Sequence, residues 1–573
     1  MERVLVCVAW PYANGSLHLG HIAGAYLPAD IFARYHRAKG DEVLMVSGSD
    51  QHGTPITIRA EQEQTTPQEV ASKYHGEFLD SWRRLGIEFD LFTTTGTANH
   101  ARVVHDIFLT LLQKGYIYRE SMPQPFCPKC QRYLPDRYVD GTCPFCDFKE
   151  ARGDQCDKCG KPTNPLELKD PRCRLCGSTP QAKTSEHFFL RLSAFQEPLL
   201  NWVKPQDHWR QNVQNFTLRY LEEGLKDRAI TRDIEWGVPI PQPGFDQKRI
   251  YVWFEAVIGY LSASQEWAKL HGQEDAWQAF WKQETKSYYF IGKDNIPFHT
   301  MIWPAMLMGY GGLNLPYDVP ANEFLTIEGK KLSTSRNWAV WLPDYLQRYS
   351  PDPLRYFLSA NMPETSDADF SWREFVRRNN DELVATYGNL VHRVLTFTFR
   401  HFDGRVPTPQ ELDTSSQSLL EKAKTTVGAV DSLLYNCHFR DAAKAAMSLA
   451  QETNRYLDEK SPWKTLKTDR ESCATALFVS LSSIANLKTL FYPFLPFSSE
   501  KLHQLLGCKG TVKEEGWGFH QLPAGQKLAT PEPLFTKLDE SVVAEENARL
   551  GQLPSQTVSD KPRKEHVEHR LDL

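Results

Sequence analysis

The sequence predicts an α/β protein in three parts: a parallel-sheet catalytic unit, a metal-stapled insertion within it, and an all-α helix bundle at the end. Three observations carry that prediction. Apolar strands alternate with amphipathic helices at the start of the chain. Eight of the twelve cysteines then fall between Cys127 and Cys176, in four C-x-x-C pairs. Beyond about Asp369 strand signals nearly vanish and helical periodicity takes over.

Arg3 to Ala9 reads as a buried strand, and Ile22 to Lys39 as a helix closed by Gly40. Pro28 lies inside that helix, where its ring and missing N–H predict a kink or a late start. Asp41 to Val46 is the next strand, ending in the polar cluster Ser47-Gly48-Ser49-Asp50-Gln51-His52-Gly53. Thr66-Pro67-Gln68-Glu69 forms a capping box with proline at the first helical position. Val70, Tyr74, Phe78, Trp82 and Leu85 make that helix's apolar stripe, and Gly86 stops it. Parallel strands in this order hold a ligand at their carboxyl ends. Proline, glycine and cysteine interrupt the pattern from Met122 to about Thr184. It resumes with a core strand at Tyr288 to Gly292 and a helix at Phe298 to Gly309. A Pro/Gly-rich passage, Gly309 to Pro320, leads into a loop at Lys330. In the last third Leu420, Ala423, Val427, Val430 and Leu434 repeat at helical spacing, as do Phe439, Ala442, Ala443, Ala446 and Leu449. The end, from about Gly551, is polar and charged, which predicts disorder.

At 573 residues the chain exceeds one core, so two to four domains are expected. Hydrophobic content of 41% and charged content of 24% are ordinary for a globular protein. With a formal net charge of −5, a nucleic-acid partner must be met by a local basic surface. No stretch has the apolar length of a membrane span. The apolar run Val4 to Trp10 follows acidic Glu2 and stops at Pro11, as a strand does and a secretory signal does not. A cytoplasmic protein is the expectation.

The cysteine pairs at 127/130, 143/146, 156/159 and 173/176 predict two tetrahedral all-thiolate sites for structural zinc. A disulfide framework is the competing reading, and nothing else in the sequence points to an oxidising compartment. Spacing alone leaves the pairing of the knuckles open. Cys7, Cys437, Cys473 and Cys508 are scattered and read as small apolar packing residues.

Two segments carry the chemistry. Pro11-Tyr12-Ala13-Asn14-Gly15-Ser16-Leu17-His18-Leu19-Gly20-His21 follows a strand and opens a helix, where free N–H groups and the helix dipole favour a phosphate. Its histidines can donate hydrogen bonds to phosphate oxygens as charge builds in a transition state. Glu328-Gly329-Lys330-Lys331-Leu332-Ser333-Thr334-Ser335 is a lysine- and hydroxyl-rich loop able to neutralise the same phosphates. Neither G-x-x-x-x-G-K-[ST] nor G-x-G-x-x-G is present, which removes the commonest phosphate-binding alternatives.

The strand followed by His18-Leu19-Gly20-His21, paired with Lys331-Leu332-Ser333-Thr334-Ser335, resembles the HIGH and KMSKS motifs of class I aminoacyl-tRNA synthetases. Further segments resemble the methionyl family: Ala9-Trp10-Pro11-Tyr12-Ala13-Asn14-Gly15, Gly48-Ser49-Asp50-Gln51-His52-Gly53, Tyr251-Val252-Trp253-Phe254-Glu255-Ala256, and Gly292-Lys293-Asp294-Asn295 with Phe298-His299 and Trp303-Pro304-Ala305. The resemblance runs from about residue 3 to about residue 500.

It implies a Rossmann-like catalytic domain at 1–115 and 236–322, split by a connective insertion at 116–235 with zinc knuckles at 127–176. A linking segment with the KMSKS-like loop would follow at 323–380, then an α-helical anticodon-binding domain at 381–550 and a charged tail at 551–573. The implied reaction activates methionine with ATP, releases pyrophosphate, and esterifies the 3′-terminal adenosine of methionine tRNA, with Mg²⁺ accompanying the ATP. His18 and His21 would stabilise the α-phosphate transition state and Lys331 the departing phosphates, with Asp294 and Thr334 also at the ATP. Methionine would be bound by Ala9, Trp10, Tyr12, Asp50, Trp253, Ala256, Tyr260, Phe298, His299 and Trp303. In that set Asp50 holds the ammonium, and Tyr260 and His299 supply weak polar contacts near the sulfur. Asn389, Arg393 and Trp463 match the anticodon-reading positions. Relatives that keep only the inner knuckles imply that Cys143, Cys146, Cys156 and Cys159 share one zinc, leaving Cys127, Cys130, Cys173 and Cys176 for a second. One departure stands out: Thr334 occupies the place of the usual second lysine, and Lys330, one position outside the motif, is its candidate substitute.

Two other classes compete. A non-catalytic tRNA-binding relative is opposed by intact His18, His21, Lys331 and Asp50. A synthetase for another amino acid is opposed by the aromatic set and by the small size of the insertion. About twenty residues follow Gly551, too few for the oligonucleotide-binding domain that dimerises some relatives, so a monomer is expected.

Overall fold

The computed structural model describes residues 1–552 except 136, 137, 154, 155, 157, 160–162, 283 and 335. Ser335 of the lysine segment and residues 553–573, most of the tail read as disordered, lie outside the described residues.

Strand β1 (Arg3–Val8) is apolar from Val4 onward, where both of its faces are covered. The helix after it begins at Leu19, ahead of the expected Ile22, and Pro28 is accommodated without a break. Ile22–Tyr26 is wound as a π-turn in which the Leu27 N–H bonds to Ile22 O, five residues back. That wider turn moves the backbone out of register just before Pro28, at the second position of α1 (Leu27–Ala38). The chain continues through β2 (Glu42–Ser49), α2 (Thr54–Glu63), α3 (Pro67–Leu85), β3 (Leu91–Thr94) and α4 (Ala98–Gln113). The capping box of α3 is formed, with Thr66 Oγ1 accepting from Glu69 N–H, and Gly86 ends the helix at φ 74°.

An antiparallel pair, β4 (Ile117–Cys127) and β5 (Gln181–Leu190), then carries the cysteine-rich region at its far end. Beyond it come α5 (Val252–Leu270), β6 (Lys286–Gly292), a second π-turn at Phe298–Ile302 ahead of Pro304 in α6 (Trp303–Tyr310), and β7 (Ala321–Asn322). The main sheet has the order β7-β6-β1-β2-β3, and every pair is parallel. Strand order reverses at β1, which opens a crevice at its carboxyl end.

The linking region is a small sheet of β8 (Leu325–Ile327), β9 (Lys330–Lys331) and β10 (Ala368–Phe370), with α7 (Pro351–Ala360) between the last two. The segment read as a loop at Lys330 is therefore partly a strand: Lys331 pairs with Thr326 and Lys330 with Ile327. After β10 every named element is helical, among them α8 (Asn389–His401), α9 (Thr414–Tyr435), α10 (Phe439–Lys460), α11 (Pro462–Thr468), α12 (Arg470–Phe491) and α13 (Ser541–Arg549). In α9 it is Leu419 that enters the core, while neighbouring Leu420 is half-buried. Helix α12 is long and apolar enough to cross a membrane, but it is buried within the protein from Cys473 to Phe491.

The bundle is fastened to the catalytic unit by a buried arginine. Arg355 of α7 binds Asp30 of α1 at 2.6 Å and donates to Leu85 O, Pro493 O and Phe494 O. A buried guanidinium needs such full pairing, because an unpaired one would be strongly destabilising.

Candidate active site

The crevice at the end of β1 is built by two polar turns zipped together. Asp50 N–H donates to Pro11 O and Ala13 N–H to Asp50 O, both at 2.8 Å. His18 is extended and caps the helix that starts at Leu19. Its N–H donates to His21 Nδ1 at 3.2 Å, which leaves the His21 proton on Nε2. The two rings stack with centroids 3.8 Å apart. Burial pushes His21 down to about 4, and burial with the neighbouring His21 holds His18 well below the usual histidine range. Both are neutral at pH 7 and can donate to a phosphate oxygen without a charge of their own.

The lysine segment lies directly against this turn. A Cβ placed on Gly20 would sit 2.7 Å from Leu332 Cδ1 and 3.0 Å from the His18 ring, so the two motifs are in close contact and a larger residue would push the leucine end and the ring aside. Leu19 N–H donates to Val340 O and Leu342 N–H to Leu17 O, which pins the chain just after the segment to the histidine turn. Strand alternation sends the two lysines to opposite faces. Lys330 lies 4.3 Å over the Trp338 ring, whereas exposed Lys331 acts on the Asp294 and Asp367 carboxylates. Thr334 is exposed at a turn, its carbonyl accepting from Asn337 N–H. Lys293, which sequence reasoning left without a role, is a further cation nearby, but it is already paired with Glu323 at 2.6 Å and Asp367 at 2.8 Å.

The same polar turns carry one side of an aromatic enclosure. The Trp10 indole is clamped between two glycines: a Cβ would lie 2.3 Å from it at Gly48 and 2.7 Å at Gly259. Tyr12 OH accepts from Trp253 Nε1 at 3.1 Å, and Trp253 meets Phe298 edge-on at 5.0 Å. Half-buried Ala9 and Ala256 lie on the adjoining backbone. His299 Nδ1–H donates to Asn295 O, so its Nε2 accepts the Tyr260 hydroxyl proton at 2.7 Å. The pair thus has no free donor for a sulfur, and it faces a thioether as a polarisable surface rather than as hydrogen-bond donors. Trp303 is fully enclosed, its N–H on Tyr289 OH and its ring against Trp281, so it stands behind the pocket wall.

Asp50 is the charged group of this enclosure. Its Oδ1 accepts from His52 N–H at 3.1 Å and Thr95 Oγ1 at 3.5 Å, and among the described residues no cationic side chain forms an ion pair with it. Burial and then the Glu255 charge push its carboxyl pKa well up, as expected of a carboxylate awaiting a cation. Sequence reasoning missed Glu255, His52 and His100, which form a buried cluster next to it. The available signal was an acidic residue inside the apolar run of Tyr251 to Tyr260.

In the bundle, exposed Asn389 opens α8, with Arg393 one turn later. Arg393 lies 5.2 Å over the Trp463 ring and binds Asp458 at 3.1 Å. Arg393 and Trp463, with His392, Thr396, Phe397 and Arg400, line a cavity of about 270 Å³, and Asn389 is not part of its lining.

The cysteines fall into two groups, Cys127, Cys130, Cys173 and Cys176, and Cys143, Cys146, Cys156 and Cys159. Their closest Sγ pairs are 3.5–4.0 Å apart, too far for disulfides. Four thiolates at a Zn–S distance of about 2.3 Å stand about 3.8 Å apart in a tetrahedron, so both sets fit zinc. A third group, His503, Cys508 and Glu515, already holds the buried ammonium of Lys488.

A crevice of this build, at the switch point of a parallel sheet and flanked by a lysine strand rather than a P-loop, is of the class I tRNA synthetase type. A family model described as "tRNA synthetases class I (M)" matches residues 4–395, and one described as "Anticodon binding domain of methionyl tRNA ligase" matches 406–554. The chain belongs to the methionyl-tRNA synthetase family. It is 63% identical over 550 residues to a methionine--tRNA ligase of Dehalococcoides mccartyi strain 195, covering 96% of this chain and 100% of the relative. It is 53% identical over 577 residues to one of Thermomicrobium roseum, covering 96% and 99%. In fold it is similar to a Mycobacterium tuberculosis methionyl-tRNA synthetase in complex with methionyl-adenylate, with a TM-score of 0.79, 24% identity, and coverage of 93% of this chain and 100% of that one.

Proposed function

We propose that the chain is a methionine–tRNA ligase that joins methionine to ATP as the adenylate, releases pyrophosphate, and transfers the methionyl group to the 3′-terminal adenosine of its tRNA. One observation carries the reading: buried Asp50, which forms no ion pair with a cationic side chain among the described residues, is zipped to the Pro11–Ala13 turn that carries Tyr12 and leads on to two neutral stacked histidines. That arrangement suits an α-amino acid with an apolar, polarisable side chain. Asp50 binds the ammonium, and Trp10, Tyr12, Trp253 and Phe298 enclose the thioether. The methionine carboxylate attacks the α-phosphate. His18 and His21 donate hydrogen bonds to its oxygens as charge accumulates, and their neutrality lets them do so without trapping the ground-state triphosphate. Lys331 faces the departing pyrophosphate, with Asp294 and Thr334 at the nucleotide, and Mg²⁺ accompanies the ATP. Arg393, Trp463 and Asn389 read splayed anticodon bases by stacking and hydrogen bonding. Zinc in the two cysteine groups is structural, since four thiolates leave no open position.

The test is ATP–pyrophosphate exchange with methionine, isoleucine, leucine, valine and cysteine offered in turn. Exchange with methionine foremost is expected. Absence of exchange with every amino acid would remove the enzyme reading, and preference for another would remove the specificity.

A further inference from the structure

Four titratable groups from two helices and one turn converge beside the aromatic enclosure, and only one of them has a role so far. Asp50 and His52 come from the turn after β2, Glu255 from the first turn of α5 and His100 from α4. Their exposures are 3%, 7%, 0% and 0%. His52 Nδ1 lies 3.1 and 3.0 Å from the two Glu255 oxygens, and His100 Nε2 lies 3.6 Å from Oε2. His100 Nδ1 bonds Ser262 Oγ at 2.9 Å, and that hydroxyl donates onward to Gly259 O. Trp236 meets the His52 ring edge-on at 5.6 Å and anchors the turn through its N–H on Gln51 O. No other charged or titratable group among the described residues is a principal influence on these four.

Two buried carboxylates in one site cannot both remain ionised unless a cation stands with them. If Glu255 were unpaired, its charge would drive Asp50 to take up a proton and lose its hold on an ammonium. We propose that His52 and Glu255 are positioning residues for the amino-acid substrate: as an ion pair they keep Asp50 ionised and fix the orientation of its Oδ1 through the His52 N–H. The pair acts on substrate only through Asp50, and the proposal rests on the reading of Asp50 as the ammonium site. Burial and the Glu255 charge raise Asp50, whereas Glu255 raises His52, in keeping with an imidazolium–carboxylate pair beside a carboxylate that needs its help.

A double-substitution cycle in the full-length enzyme tests this. His52→Gln keeps a hydrogen bond to Glu255 but removes the cation, so two anions face each other. The KM for methionine in pyrophosphate exchange is expected to rise about tenfold or more at pH 7 and to recover as pH is raised, because the carboxylate pKa climbs by roughly one to three units. The KM for ATP should change little. Adding Glu255→Gln removes the second anion, and the doubly substituted enzyme should bind methionine within about threefold of wild type. Such rescue is beyond a merely structural role, for which a second buried change compounds the first. The inference is overturned if the double variant is as poor as His52→Gln or worse, or if the His52→Gln defect is the same at every pH. Should His52→Gln fail to fold, the comparison of double variant with wild type decides alone: a methionine KM raised more than about tenfold overturns the inference. Absence of exchange in the wild-type enzyme would instead remove the underlying assignment of function.

Discussion

Lys331 and Lys330 are adjacent and both exposed, yet the structure predicts very different consequences of losing them. Their side chains leave β9 on opposite faces, so only Lys331 points to the Asp294 side of the crevice. A unit charge about 4 Å from a phosphate oxygen interacts by about 4 kcal/mol at an effective dielectric near 20. Solvent around an exposed ammonium reduces this, which leaves about 3 kcal/mol, or roughly a hundredfold in rate. Lys330 instead lies on Trp338, a cation–π contact worth about 0.5–1 kcal/mol at an exposed position, or less than about fivefold. Methionine-dependent pyrophosphate exchange by Lys331→Ala and Lys330→Ala, with melting temperatures as controls, should therefore differ by more than tenfold. Equal losses in exchange would refute the assignment of faces.

Gly48→Ala places a Cβ 2.5 Å from the Thr93 carbonyl as well as on Trp10, so strand β3 must move, whereas Gly259→Ala meets only the Trp10 ring at its closest approach. Thermal unfolding should show the first costing about 3 kcal/mol or more and the second about 1–2 kcal/mol; equal melting temperatures would count against the clamp. Metal analysis should find two zinc ions per chain, and Cys143→Ala or Cys173→Ala should each remove one, so loss of both from a single substitution would disprove independent sites. His21 and His299 sit near 4 when folded against 6.5 when unperturbed, so the unfolded chain binds their protons first as pH falls. Their stability contribution is present above pH 6.5 and lost towards pH 4, with a slope up to about 1.4 kcal/mol per pH unit for each. Denaturant titrations of His299→Gln should show a shallower acid slope than wild type, and an unchanged slope would contradict the depressed value.

Local signals in the chain were enough for the parallel order of the main sheet, the α3 capping box and the helical final third, because periodicity and capping act over a few residues. They were equally enough for the cysteine knuckles and the histidine turn, whose residue types have few other uses at those spacings. The π-turns just ahead of Pro28 and Pro304 were not legible, since winding of this kind depends on how the whole helix is packed. Nor was the strand character of Lys330 and Lys331, which depends on β8 being alongside. Leu419 rather than Leu420 faces the core because the roll of α9 is set by its neighbours. The pairing of outer with outer and inner with inner cysteines, the commitment of Tyr260's proton to His299, and the Asp50–His52–Glu255 cluster all join residues far apart in the chain. By itself the sequence determined which chemical groups are available and the local backbone that presents them. Tertiary structure alone decided which groups meet, and therefore which are charged, because burial and the nearest charge set a protonation state that no stretch of sequence contains.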